Sequence, residues 1–84
     1  MSITFPFIQV PVSFDIAFPS DVDEKRIGCR ISIEALQDHF GAHADGMSAF
    51  LANRSTIEAK AAQKISKGQF EQDGTILLRT SDFP

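Results

Sequence analysis

Apolar and polar positions alternate twice in the first half of the chain. Phe14, Ile16 and Phe18 share one parity with Asp15 and Ala17 on the other, and the pattern returns over Lys25 to Ser32. There Ile27, Cys29 and Ile31 face one way and Arg26, Gly28 and Arg30 the other. A period of two marks a strand with one buried face, so residues 13–32 predict an antiparallel hairpin joined by the turn-rich PSDVDE segment. The period then lengthens. Ser32 is placed to cap a short helix over 33–40, with Ile33, Leu36 and Phe40 on one face and Gly41 past its end.

From Gly46 to Lys67 a stripe of Met47, Phe50, Leu51, Ile57, Ala61, Ala62 and Ile65 predicts a long helix. Asp45 is its candidate N-cap, and Gly68 supplies a left-handed exit behind Lys64 and Lys67. Asp73-Gly74 signals a turn, and Thr75 to Thr80 a strand with Ile76 and Leu78 inward, within a C-terminal strand region at 69–80. Residues 1–12 carry Pro6 and Pro11, which restricts them to irregular chain or an edge strand. The expected fold is a single-domain, two-layer α+β sandwich of order β-β-β-α-α-β. An antiparallel sheet carries the short and the long helix on one face, with room for an extra short strand.

Composition narrows the function classes. Eighty-four residues with 43% hydrophobic content and eight Phe suit one small core. A single cysteine offers no internal disulfide, and the N-terminal stretch has neither a basic leader nor an uninterrupted apolar span, so a cytoplasmic protein is expected. Net charge is −3: residues 1–44 hold three basic and six acidic side chains, residues 45–84 five of each. That balance argues against nucleic acid, whose binding rests on neutralising phosphates.

Three segments, CRISIEALQDHFGA, IEAKAAQKISKGQF and DGTILLRTSDF, resemble in sequence and order the small bacterial proteins of domain-of-unknown-function family 1488. The resemblance runs from Phe14 to Phe83 and implies a bacterial, stand-alone α+β domain. It assigns no activity and carries over no functional residue.

Candidate chemistry therefore rests on the residues themselves. Arg54 and Glu58 fall one turn apart inside the apolar stripe, where charges must pair or reach water. They read as an oriented guanidinium for a small anion or metabolite, as an i,i+4 pair at the core margin, or as the sign of a helix break. In the last case Ser55 to Glu58 forms a capping box, the helix breaks near Asn53 and restarts at Ser55, and Arg54 is a linker residue. Arg26, Arg30, Leu77 and Arg79 share the outward parity of their strands and predict an interaction surface, or else an ordinary solvated face balanced by Asp15.

His39 and His43 have a helical metal-ligand spacing that Gly41 interrupts, and no third ligand is in register, so neither metal nor cofactor is expected. Cys29 reads as a small core hydrophobe. With no catalytic constellation, the expectation is a non-catalytic interaction module that binds an unknown protein or itself through a sheet edge or face, away from membranes. A small-anion or metabolite binder using Arg54 and Glu58 is the alternative.

Overall fold

The structure, a computed structural model, describes residues 2–12, 15–40 and 46–83. Phe14, Gly41, His43 and Asp45, which the sequence singles out, lie outside the described residues. The fold is α+β. A five-stranded sheet is built from β1 (Ile3–Thr4), β2 (Val10–Val12), β3 (Asp15–Val22), β4 (Lys25–Ser32) and β5 (Ile76–Leu78). It packs against α1 (Ile33–Phe40), α2 (Gly46–Ala52) and α3 (Arg54–Ser66).

The hairpin β3–β4 forms in the register that parity demands, Ile16 opposite Ile31 and Phe18 opposite Cys29. All four are buried. Its loop is shorter than the sequence suggests, because Pro19 to Val22 continue the strand and only Asp23 and Glu24 turn. Both turn residues have positive φ (49° and 72°), the backbone of a type I′ turn. Pro19 is tolerated because it sits opposite Gly28 where no ladder bond runs to β4.

The same proline splits the sheet's first edge. β1 pairs with Asp21 and Val22, β2 with Asp15 to Ala17, and Phe5 to Gln9 form an unpaired buckle between them, anchored by Phe5 on Phe18. The missing N–H of Pro19 points to this edge, so pairing lapses beside it. The buckle closes on itself with the Ile8 N–H donating to the Pro6 carbonyl at 2.8 Å. Pro11 lacks a donor as well, so its pairing with Ile16 is of the non-hydrogen-bonded kind and Val10 and Val12 carry the ladder. The open side of β2 thus offers no N–H at its centre.

Two expectations need correction. The sheet is antiparallel at three pairings, but β5 runs parallel to β4, with Arg30 beside Leu77. The helical layer between β4 and β5 carries the chain back to the end where β4 began, so the next strand runs the same way. The stretch read as one long helix over 46–67 is α2 and α3, broken at Asn53. The Asn53 amide donates back to the Ala49 carbonyl at 2.9 Å, a local bond that competes with continuation of the helix. The restart is at Arg54 and not Ser55, and Glu58 pairs with Arg54 in place of a capping box. The break leaves Leu51 exposed while Phe50, Ile57, Ala61 and Ile65 stay buried.

The cap at Ser32 is present, its Oγ accepting the Ala35 N–H at 3.1 Å. Gly68 (φ 69°) ends α3 in a Schellman motif: Gln69 N–H donates to the Lys64 carbonyl and Gly68 N–H to that of Ile65. Gln69 to Gln72 join no strand, and β5 ends at Leu78. The last segment is a one-turn 3-10 helix, Thr80–Asp82, with Phe83 buried against Phe40.

Candidate interaction surface

Each strand's second parity faces away from the helices. From edge to edge, one row of that outer face reads Val10, Ala17, Arg30, Leu77, all in register. Pro19 and Gly28 occupy the next row, and because neither projects far the sheet is hollow there. The result is a groove of about 380 Å³. Ala17, Pro19 and Gly28 form its floor, Ile8 and Val10 one wall and Thr75 the other, with Arg26 and Arg30 at its ends. A Cβ added at Gly28 would meet Thr75 Cγ2 at 3.7 Å, an ordinary contact, so the floor can be raised without clash.

The wall belongs to an unusually apolar edge. Phe7 is 69% exposed, Ile8 and Val10 49% each, and Val12 42%. Contiguous exposed apolar side chains are characteristic of surfaces that meet a partner. The sequence shows these residues as an apolar run; their convergence on Gly28 depends on the buckle, which the alternation pattern does not reveal.

The arginines of the predicted surface are all placed, and each has a carboxylate. Arg26 meets Asp21 at 2.8 Å across the hairpin, Arg30 meets Asp15 at 3.4 Å, and Arg79 meets Glu71 at 2.8 Å. The Asp21 carboxyl is held below its ordinary range by its hydrogen bond to Arg26, against a smaller effect of desolvation. Arg26 and Arg30 flank the groove. Arg79 lies beyond β5 and lines, with Leu77 and Asp15, a second depression at the adjoining end of the same face.

Arg54 and Glu58 stand elsewhere, behind the buckled edge. Arg54 Nε lies 2.9 Å from Glu58 Oε2, an ion pair whose N–H is not aligned for a hydrogen bond. Nη2 donates to the Phe5 carbonyl at 2.9 Å, and the guanidinium carbon lies 4.8 Å from the centre of the Phe7 ring. Burial raises the Glu58 carboxyl above its ordinary value, and the neighbouring Arg54 charge only partly offsets this. The guanidinium thus ties α3 to the edge segment that carries the groove wall.

His39 donates from Nε2 to the Thr80 carbonyl at 3.0 Å and packs on Phe83, which fixes its tautomer and joins α1 to the C-terminal turn. Among the described residues, no three His, Cys, Asp or Glu side chains converge as a metal site. Cys29 is buried, its thiol pushed up by desolvation against a weak bond to Ser20.

A family model described as a protein of unknown function, DUF1488, matches residues 13–78, well over half the chain. The chain belongs to the DUF1488 family. A solved structure of the same family shares the fold: the crystal structure of a DUF1488 protein of unknown function from Shewanella loihica PV-4, at 1.60 Å resolution. It is 23% identical in sequence, with a TM-score of 0.86 over 92% of this chain and 91% of that one. No curated protein matches the sequence. The family model covers β3 to β5 and so includes the groove floor, whereas Ile8 and Val10 of the wall precede the matched residues.

No helix among the described residues is long and apolar enough to cross a membrane.

Proposed function

We propose that this DUF1488 protein is a non-catalytic interaction module of the bacterial cytoplasm, and that it docks through the outer face of its sheet. The observation that carries the reading is the groove between the exposed Ile8–Val10 wall and Thr75, floored by Gly28. The sheet edges are poorer candidates. β2 has Pro11 at its centre, and on β5 the Leu77 carbonyl already accepts Lys64 Nζ at 2.8 Å. A free, buried Cys29 accords with the cytoplasm.

The test is paired capture of the tagged wild type and two variants from native lysate that also contains an untagged copy. Val10→Lys places a charge in the wall, and Gly28→Ala raises the floor. A stoichiometric partner retained by the wild type and lost from both variants supports the reading. Equal retention by all three contradicts it.

The alternative, a small-anion or metabolite site at Arg54 and Glu58, must contend with a guanidinium that already serves Phe5 and Glu58. An anion would displace one of them. It predicts a rise in melting temperature with phosphates or carboxylates that Arg54→Ala removes.

A further inference from the structure

We propose that the occupant of the outer face is a second copy of this chain, packed face to face about a twofold axis that runs along the strands between β3 and β4. The inference rests on the docking face proposed above and adds the partner's identity.

Charges follow a fixed order across the sheet. On the outer face the β3 column carries acids, Asp15 and Asp21, at either side of Ala17 and Pro19. The β4 column carries bases, Arg26 and Arg30, at either side of Gly28. The flanking columns are apolar, Val10 and Val12 on β2 and Leu77 on β5.

A twofold axis along the strands at the β3–β4 seam turns each column onto its mirror position. It lays β3 against the partner's β4 and β2 against the partner's β5. Asp21 then faces the second copy's Arg26 twice over, Asp15 meets its Ser32 one row from Arg30, and Val10 faces Leu77 twice over. The small residues at the centre let the two sheets approach, as in aligned sheet packing.

The other in-plane axis, across the strands at Gly28, would set Arg26 on the second copy's Arg30, and one residue along it would set Asp15 on that copy's Asp21. Like charges in close contact disfavour that arrangement. The charge order is thus self-complementary in one orientation and repulsive in the other. Such self-complementarity is what an isologous interface requires. Edge-to-edge pairing is closed by Pro11 on one side and by Lys64 on the Leu77 carbonyl on the other.

The experiment is sedimentation equilibrium on the full chain from micromolar to millimolar concentration, with two charge-reversed variants. Arg26→Glu with Arg30→Glu makes the face acidic, and Asp15→Lys with Asp21→Lys makes it basic. The wild type is expected to show a monomer–dimer equilibrium, and each variant alone to dimerise at least about tenfold more weakly. An equimolar mixture of the two restores a dimer, since both β3–β4 contacts are then attractive again. Restoration also establishes that both variants are folded.

A wild type that remains monomeric throughout overturns the second copy as occupant. If Val10→Lys still abolishes capture of another protein, the docking face itself survives that result. A dimer that neither the charge reversals nor Val10→Lys weakens lies on another surface and also overturns the second copy as occupant of this face; equal capture by wild type and Val10→Lys would then overturn the docking face as well.

Discussion

Arg54 Nη2 and the Phe5 carbonyl meet at 2.9 Å although 49 positions separate them in sequence. This bond joins the first turn of α3 to the buckled edge, and the same guanidinium pairs with Glu58 and covers Phe7. Removing it strands three groups at once.

Arg54→Ala is expected to cost about 1.5–3 kcal/mol, the range for a hydrogen bond to a charged group. Thermal denaturation checks this. Adding Glu58→Gln to Arg54→Ala should recover part of the loss, because it neutralises the half-buried carboxylate left without its counter-charge. Arg54→Lys should rescue poorly, since one ammonium cannot reproduce the guanidinium fork.

The exit of α3 offers a backbone test free of packing effects. At Gly68 φ is 69° and an added Cβ would find nothing within 4 Å. Gly68→Ala should therefore destabilise by about 1 kcal/mol through conformation alone. Chemical denaturation should show a lower midpoint with an unchanged m-value.

The hairpin predicts a gain. Asp23 and Glu24 both hold positive φ without being glycine, and Asn-Gly is favoured in such a turn. Asp23→Asn with Glu24→Gly should raise the melting temperature. The amide oxygen introduced by the first change can still accept the Ser2 N–H, as Asp23 Oδ1 does at 2.8 Å.

Much of this fold is legible because its patterns are short-range. Parity alone places Ile16, Phe18, Cys29 and Ile31 in the core, and Ser32 caps α1 where its spacing predicts. The parallel β5 is not legible in that way, since a strand's direction depends on how the helical layer returns the chain. The break at Asn53 is half-legible. Arg54 in an apolar stripe marks a conflict, but its resolution depends on Phe5, far away in sequence.

The outward placement of Arg26, Arg30 and Leu77 follows from parity. The groove between them and Ile8 does not, because it arises where Pro19 interrupts edge pairing.

Acid should weaken the C-terminal tie. Burial raises the Asp82 carboxyl, but the Arg79 N–H and Lys64 outweigh it and hold the folded value below the ordinary one. Its contribution is therefore present above the unfolded carboxylate range, near pH ~4, and is lost as pH falls through the lower folded value. Glu58 has the opposite sign: its folded value is raised, so its contribution is complete at low pH and lost as pH rises through that value. Asp82→Asn should flatten the acid limb of a stability–pH profile, whereas Glu58→Gln should steepen it by removing the opposing contribution.

The most direct test of the outer face as the docking surface is a dilution series followed by amide chemical shifts of the uniformly ¹⁵N-labelled chain. Concentration-dependent shifts are expected at Val10, Ala17, Gly28, Arg30 and Leu77, with the exposed residues of α1 and α3 unmoved. Shifts confined to the helical face, or none at any concentration, would contradict self-association through this sheet.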